Sequence, residues 1–298
     1  MTILNLANDG IYPELISIFQ VIAKNGPIEI EEVVRICSAD RAPRSSLTRW
    51  TELGLFEVED KNVKLAANIV VKRGESLDSL IKRLPAICRR LMLEEKNCLP
   101  IWNKEGLSED GTGRAADIAR GLAWVLAQDI YEFSDVSADK IESIERQQIK
   151  AGKFVFLNKT RWPGLRSWAR YLGFAVGDER TFFIDPTSAV RDEMPSLFHG
   201  AKSIPITEFL TELGARLPVF DDGAYRKLIE SNLNEEVWRR VPDSHISMSL
   251  SLALRRLELD KTIAFEDKAD AGHSISLTGR NYRTWSKISH IRLLGGKK

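Results

Sequence analysis

The chain has 298 residues, of which 43% are hydrophobic and 29% are charged, as in an ordinary globular protein, and this length leaves room for two or three domains that are each able to bury a core. The formal net charge is only +1, which excludes a general polyanion binder, so any nucleic-acid surface must come from local segregation of basic residues. The three cysteines lack Cys-x-x-Cys spacing, the start has no basic leader, and no apolar run reaches the roughly 20 residues that cross a bilayer. We therefore expect a cytoplasmic protein that has no membrane partner.

The first 75 residues have the element order of a winged helix. The spacing of apolar residues predicts helices over residues 11–24 and 29–37, a third helix from about Pro43, and strands over residues 55–58 and 62–66. Two helices, a turn, a third helix and a two-stranded hairpin follow one another in this fold, and the third helix is the one that enters a DNA groove. We assign residues 1–75 to a first winged-helix unit.

The next segment is predicted to connect two such units. Residues 76–96 form an amphipathic helix, whereas residues 97–113 are polar, contain Pro100 and three glycines, and indicate an exposed connection. We assign residues 76–113 to a helical linker. A long helix is expected next, over residues 114–133.

A short pattern recurs along the chain and indicates further units of the same kind. Residues 47–56 read Leu-Thr-Arg-Trp-Thr-Glu-Leu-Gly-Leu-Phe, and residues 165–174 read Leu-Arg-Ser-Trp-Ala-Arg-Tyr-Leu-Gly-Phe. Each copy places Leu and Trp on one helical face and then ends the helix at Leu-Gly before a strand. Leu254, Leu257 and Ile263 repeat the rhythm in a weaker form. The sequence therefore predicts a mainly α fold with small β-hairpins, built from tandem winged helix-turn-helix units.

Two further units follow from this repeat. Residues 114–200 are assigned to a second winged helix, whose hairpin lies within residues 174–184. Residues 201–298 are assigned to a third winged helix with a basic tail. Its hairpin is expected to join residues 263–266 to residues 274–277.

The residues that could carry chemistry do not form a catalytic or metal-binding pattern. Gly111-Thr112-Gly113 follows no strand and lacks the Gly-Lys-Ser/Thr ending of a phosphate loop, so a flexible loop is the simpler interpretation. The four histidines are far apart and have no neighbours at metal-ligand spacing. Asp221-Asp222 before Gly223 is typical of a turn with a helix cap. We expect a protein that is not an enzyme and that holds no metal and no cofactor.

Basic residues are concentrated in the second unit, where residues 150–180 contain seven lysines and arginines and only two acids. A cationic face opposite the buried face of Leu165 and Trp168 would suit a helix that neutralises phosphates and reaches base edges in the major groove. An ordinary solvated face is the equally weighted alternative. Trp168 itself is expected in the core. The candidate DNA contacts of this segment are Lys159, Arg161, Arg166, Arg170 and Arg180.

Two other regions carry candidate contacts. The third unit offers basic residues on its last helix and in its acid-free tail, which can track a phosphate backbone or serve solubility alone: Arg255, Arg256, Arg280, Arg283 and Lys287. The third helix of the first unit offers Arg44 and Arg49, yet the hairpin that follows carries Glu57, Glu59 and Asp60. Because these carboxylates would be repelled by phosphates, we expect this hairpin to bind protein instead.

The last unit also carries a family resemblance. The runs Phe209-Leu-Thr-Glu-Leu and Leu217-Pro-Val-Phe-Asp-Asp-Gly, with the ending Trp285-Ser-Lys-Ile-Ser-His-Ile, resemble the DpdG family. That family belongs to bacterial cassettes that place 7-deazaguanine bases in DNA and restrict foreign DNA. The resemblance spans most of the chain and implies a role in the restriction arm, beside helicase-like and nuclease-like partners. It supplies no catalytic residues.

Three functions fit these patterns. The leading expectation is a non-enzymatic component of an anti-phage DNA restriction system that binds double-stranded DNA through tandem winged helices. The first alternative is a scaffold that holds the other subunits of a restriction cassette, which the near-neutral charge and the acidic first hairpin favour. The second is a transcription regulator, which leaves the size and the triplication unexplained. A homodimer is a further partner that the sequence leaves open.

Overall fold

The computed structural model describes residues 3–4, 12–37, 43–103, 108–133, 137–156, 158–178, 181–268 and 272–295. Over these residues the chain folds into twelve α-helices and eleven short strands, which form three three-stranded sheets and one two-stranded sheet. The fold is therefore mixed α/β, with many helices and only small sheets, as the spacing patterns predict.

The N-terminal third begins with a helix that packs on a small sheet. Its elements are α1 (Tyr12–Asn25), β1 (Ile28–Glu29), α2 (Ile30–Ile36), α3 (Pro43–Glu52), β2 (Phe56–Glu59) and β3 (Asn62–Leu65). The strand order is β1–β3–β2, and both pairs are antiparallel. Leu15, Ile18 and Phe19 share one face of α1 and are buried, because α1 packs against α3 and β3. The hairpin predicted here is confirmed, whereas β1 has no counterpart in the prediction.

The segment predicted as an exposed connection is buried in part. The helices of this region are α4 (Leu77–Leu93) and α5 (Glu95–Cys98). Asn97 and Ile101 are buried, and the Asn97 amide donates to the backbone carbonyl groups of Leu53 (3.1 Å) and Leu91 (2.8 Å). For these buried residues the prediction is wrong, because the polar side chain of Asn97 satisfies buried carbonyl groups of neighbouring elements, which local composition does not reveal. Leu99, Pro100, Asp110 and Gly111 are exposed, as predicted.

The middle third is built around a helix that is buried on every side. Its elements are α6 (Ala116–Leu126), α7 (Ala138–Gln148), α8 (Arg161–Tyr171), β4 (Ala175–Val176), β5 (Phe183–Ile184) and α9 (Thr187–Leu197). Every residue of α6 is buried, as expected of a central helix. The single long helix predicted over residues 114–133 is wrong, because Asp129 accepts the backbone N–H of Tyr131 at 3.0 Å and forms a turn there. Antiparallel pairing of β4 with β5 confirms the predicted second hairpin.

The C-terminal third contains two sheets. Its elements are β6 (Ser203–Pro205), α10 (Ile206–Arg216), α11 (Ala224–Glu230), β7 (His245–Ile246), α12 (Met248–Leu259), β8 (Ile263–Glu266), β9 (Ile275–Thr278), β10 (Thr284–Ile288) and β11 (His290–Leu293). The strand orders are β6–β11–β8 and β10–β9–β7. The hairpin predicted between residues 263–266 and 274–277 is wrong, because β8 pairs with the distant β11 and β9 pairs with β10. Alternation along a strand predicts which residues are extended, but it does not say which strand they pair with.

The recurring Leu-Gly pattern corresponds to one type of helix end that the fold uses three times. After α3, α8 and α12 the chain turns through a residue with positive φ, namely Gly54 (+90°), Gly173 (+81°) and Lys261 (+57°). The N–H of the next residue donates to a carbonyl five positions earlier, from Leu55 to Trp50 (2.8 Å), from Phe174 to Ala169 (2.8 Å) and from Thr262 to Leu257 (2.9 Å). This is the Schellman motif, which favours Gly because Gly has no Cβ. The third copy has Lys at this position, which explains its weaker sequence pattern.

The N-terminal and C-terminal elements have the same order, the same strand pairing and a corresponding backbone hydrogen bond. The order α1–β1–α2–α3–β2–β3 corresponds to α9–β6–α10–α12–β8–β11, and the strand orders of the two sheets agree. At the start of the second helix, Ile30 donates to the Lys61 carbonyl (2.9 Å) and Ile206 donates to the Ser289 carbonyl (2.8 Å). α9 therefore groups with the C-terminal elements, although the predicted boundary placed it before residue 201. α11 and the β9–β10 hairpin are additions to the C-terminal copy.

The repeated elements share one core. The buried apolar side chains of the described residues form one cluster that runs from Ile3 to Ile291. Arg89 of α4, whose side chain is 1% exposed, donates to the carbonyl oxygen of Leu172 (2.7 Å) and to the carboxylate of Asp192 (2.9 Å). It thereby ties α4 to the end of α8 and to α9. The buried side chains of the predicted units are therefore continuous with one another.

Candidate nucleic-acid interface

The basic face predicted on the second unit is largely engaged within the protein. Lys159 pairs with Asp139 at 2.7 Å, and this hydrogen bond raises the pKa of Lys159. The guanidinium group of Arg166 lies 5.7 Å from the centre of the Phe182 ring, and that of Arg170 donates to the backbone carbonyl of Asp178. Both arginines are half-buried. Arg180 lies outside the described residues. Trp168 is buried, as predicted.

Two predicted contacts are buried, so their assignment to DNA is wrong. Arg49 of α3 is 4% exposed and lies next to the fully buried Trp50. Arg161, at the start of α8, is 2% exposed and forms ion pairs with Glu109 and, at 3.9 Å, with Asp117. The buried residues of α8 begin at its first position, so Arg161 points into the protein rather than joining the exposed side of the helix.

Arg161 belongs to a buried ionic cluster that the sequence does not reveal. Glu109 accepts hydrogen bonds from both Arg120 and Arg161, which are 11 and 52 residues away along the chain. Burial raises the pKa of Asp117, while its hydrogen bond from the backbone N–H of Leu4 and the charge of Arg120 act in the opposite direction. Partners at such separations leave no local pattern. Because the cluster is enclosed, it does not offer charge to a ligand, and removing one of its partners would leave an uncompensated buried charge.

The first unit presents its charges at the surface but pairs most of them. Arg44 forms an ion pair with Glu31 at 2.6 Å. Glu59 pairs with Lys64 at 2.5 Å, and the Glu57 carboxylate lies 4.0 Å from the same lysine and accepts the backbone N–H of Ala67 at 2.9 Å. Asp60 is exposed at the tip of the β2–β3 hairpin, in a left-handed conformation with φ of 55°. The acidic character of this hairpin is thus reduced by one lysine but not removed.

Helix α12, which in the C-terminal copy corresponds to α3, is buried over its N-terminal half. Its residues 248–251 are all buried, and the Ser249 hydroxyl donates to the carbonyl of Leu126 at 2.7 Å. Only the end of the helix is exposed, where Arg255 pairs with Glu258 and Arg256 pairs with Asp185 at 2.5 Å. The N-terminal half of α12 therefore packs into the protein and is not accessible to a DNA groove.

The β9–β10 hairpin is where predicted basic residues remain free. Arg280, Arg283 and Lys287 are exposed, and within the described part of the chain they have no ion-pair partner. No acid occurs between residues 275 and 288. Asn281 and Tyr282 at the tip both have positive φ, of 58° and 57°, and the carbonyl of Arg280 accepts the N–H of Arg283 at 3.4 Å. Two successive residues with positive φ describe a turn of type I′, which matches the twist of a two-stranded ribbon.

Aromatic side chains hold this hairpin in place. A bulge in β10 places Trp285 and Ser286 opposite a single residue of β9. The Trp285 indole lies so close to Gly279 that a Cβ on this glycine would be 1.9 Å from the ring nitrogen. The Trp285 ring also meets the Tyr131 ring edge-on, with centroids 6.4 Å apart. The hairpin is thereby fixed on the loop that follows α6.

Several charges converge on Tyr131, below the hairpin. Burial raises the pKa of Tyr131, and the Asp129 carboxylate adds to this rise. The guanidinium groups of Arg283, Arg256 and Arg280 act on the same hydroxyl in the opposite direction. The charges of two hairpin arginines and of Arg256 from α12 therefore act on the half-buried Tyr131. None of the aromatic residues at this place was singled out from the sequence as part of a site, although the run Arg-Asn-Tyr-Arg between two strands marks the turn.

A model of the DpdG-like family matches residues 1–271 of the chain. The chain belongs to the DpdG-like family. This confirms the resemblance read from the third unit, and the family name implies a component of a Dpd system. A search of curated proteins found no match, and neither did a search of solved structures.

Other candidate groups in this DpdG-like chain have structural roles. Thr112 donates to the backbone carbonyl of Glu109 at 2.7 Å within a loop. His199 lies 3.2 Å from Glu212, and His245 lies 3.1 Å from the Thr284 hydroxyl. Over the described ranges, acids, histidines and cysteines do not gather into a group that could hold a metal ion. None of the helices in the same ranges combines the length and the apolar character that crossing a bilayer requires.

Proposed function

We propose that this DpdG-like protein is a non-enzymatic, DNA-binding component of a Dpd restriction system. In this proposal its repeated elements are tandem winged helices, and duplex DNA contacts the β9–β10 hairpin. The observation that carries the proposal is the group of exposed cations Arg280, Arg283 and Lys287, which have no ion-pair partner among the described residues. Free cations on an acid-free ribbon can neutralise phosphates and release counterions without first breaking an internal ion pair.

The element order supports the winged-helix part of the proposal. A helix, a strand, two helices and a hairpin occur in the N-terminal copy, and the C-terminal copy repeats them with the same strand order. The middle copy has three helices and a two-stranded hairpin. In a winged helix the hairpin is the wing, so β9 and β10 extend the wing of the C-terminal copy.

The other predicted contacts that the structure describes at the surface rank below the hairpin because each already has a partner. Lys159, Arg44 and Arg255 are exposed but hold a carboxylate. Arg166 and Arg170 are half-buried and engaged by Phe182 and Asp178. DNA would have to replace these interactions, which lowers the net gain of each contact. We propose them as secondary contacts at most.

The test is the salt dependence of binding by the full chain to a fluorescent duplex. Removing two phosphate contacts in the variant R280A/R283A should lower the slope of log affinity against log salt by about two units, since each contact contributes roughly 0.9. The matched control is K72A/R73A, which removes two exposed cations from a loop before α4. An unchanged slope in R280A/R283A, with a reduced slope in R166A/R170A, would move the interface to α8 and refute the assignment to the hairpin.

A protein-interaction scaffold is the second candidate, and the β2–β3 hairpin favours it. Glu57, Glu59 and Asp60 face solvent there, and one lysine only partly offsets them. The variant E57K/E59K/D60K should lose co-purification with other subunits of the cassette and gain nonspecific DNA binding. Intact co-purification would show that this hairpin is not the surface that holds a partner.

A further inference from the structure

We propose that the β9–β10 turn reads base edges in the major groove of duplex DNA, with the Asn281 amide as the reading group and Arg280 and Arg283 beside it. This inference rests on the proposed function and adds sequence selectivity to it. It names a specificity-determining residue that phosphate binding alone would not require.

The hairpin is the element of the C-terminal copy that can enter a groove. The major groove admits an α-helix or a two-stranded β-ribbon. The N-terminal half of α12 is buried against the rest of the protein, as its bond from Ser249 to Leu126 shows. The β9–β10 ribbon instead carries exposed residues at its tip and along its edge strand, at Arg280, Asn281, Arg283 and Lys287.

In the β9–β10 turn the side chain of Tyr282 packs against the protein, whereas the side chain of Asn281 is exposed. Tyr282 occupies the second central position, where a type I′ turn favours Gly because a Cβ makes the left-handed conformation unfavourable. Its ring lies 4.0 Å from the guanidinium carbon of Arg239, so Tyr282 is held against the body of the protein. Asn281, the first central residue, is exposed, and its amide forms no hydrogen bond within the described part of the chain.

Asn281 has the chemistry and the setting of a base-reading residue. An asparagine amide can pair with the N6 and N7 positions of adenine, and arginine can pair with O6 and N7 of guanine. Such readout needs a fixed register, whereas phosphate neutralisation tolerates mobile cations. The β10 bulge, the contact of Trp285 with Gly279 and the contact of Trp285 with Tyr131 provide this rigidity.

The experiment is selection of binding sites from a randomised duplex library by the full chain. Wild type should enrich a short motif that contains an adenine, and N281G should lose the preference at that position by about tenfold or more. Glycine accepts the left-handed conformation, so this variant keeps the turn while it removes the amide. N281D should shift the preference away from adenine, because a carboxylate only accepts hydrogen bonds. N68A, which changes another exposed asparagine, is the control and should enrich the wild-type motif.

The outcomes separate this inference from the proposed function. The salt slope of N281G should equal that of wild type, because no charge is removed. Duplex binding that selects no motif, or an N281G variant that selects the wild-type motif, would overturn base reading and leave phosphate binding intact. A wild-type chain that binds no duplex would overturn both proposals.

Discussion

Trp50 and Trp168 occupy the same place in two copies of the repeated pattern and pack against each other, with ring centroids 5.8 Å apart and planes inclined at 46°. Tyr12 of α1 extends this cluster through an edge-on contact with Trp168. Both tryptophans are buried, so they join α3 to α8 and are not accessible to stack on bases. Corresponding helices of two units therefore form an interface with each other.

This interface should be visible as thermodynamic coupling. Each of W50A and W168A should lower the free energy of unfolding by about 3–5 kcal/mol, because each leaves a cavity in the core. The double variant should lose less than the sum, by about 0.5–1.5 kcal/mol, since the aromatic contact can be lost only once. Urea unfolding measures all three. The control cycle pairs W50A with W238A, since Trp238 bonds to the Ala127 carbonyl instead, and it should be additive. Additive losses for Trp50 and Trp168 would contradict a direct contact.

Glu109 should be far more important for stability than its position in a polar loop suggests. Its carboxylate accepts hydrogen bonds from Arg120 and Arg161, whose side chains are 0% and 2% exposed. Glu109→Ala would leave two buried guanidinium groups short of a counter-charge, and we expect a loss of about 3–5 kcal/mol. Asp110→Ala removes the neighbouring exposed carboxylate and should cost less than about 0.5 kcal/mol. Similar urea midpoints for the two variants would contradict the role of Glu109.

Glu145 should make the free energy of unfolding fall as pH rises from about 4.5 to about 7. Burial raises its pKa to about 7, against the opposing effect of two backbone N–H donors, at Phe156 and Val155. Between the ordinary pKa near 4.5 and this value the unfolded chain loses the proton while the folded chain keeps it. The free energy of unfolding should therefore decrease by about 3 kcal/mol from pH 4.5 to pH 7 and change little from this group above that range.

The variant Glu145→Gln tests this directly, because its amide oxygen still accepts the two N–H groups but does not titrate. Its unfolding free energy should lack the decrease that wild type shows over this pH range. Asp139→Asn, at an exposed position near the start of the same helix, should keep it. A wild-type profile that is flat from pH 5 to pH 7.5 would show that Glu145 ionises normally.

Features set by neighbouring residues could be predicted from the sequence, whereas features set by distant partners could not. The helix ends at Gly54 and Gly173 and the burial of Trp168 follow from local spacing and are confirmed. Arg161 also fits the local pattern of an exposed cationic face, yet it is buried because Glu109 neutralises it from another segment. The pairing of β8 with β11 is likewise decided by a strand beyond an inserted hairpin.

The candidate interface also has features that the sequence predicts and features that depend on distant residues. Arg280, Arg283 and Lys287 were predicted as contacts from their charge and from the absence of nearby acids, and the structure leaves them exposed. The turn that presents Asn281, and the bulge and aromatic contacts that hold it, depend on Tyr131 and Arg239, which lie far away along the chain. Composition could therefore predict the charge of this surface but not its shape.

Arg89 reaches from α4 to the carbonyl of Leu172, just after α8, and to Asp192 of α9, so a single buried side chain joins three elements that lie far apart along the chain. A protein linked in this way should melt in one cooperative transition instead of in three steps, although its sequence is segmented. Cutting out one repeat would expose the apolar faces that its neighbours now cover.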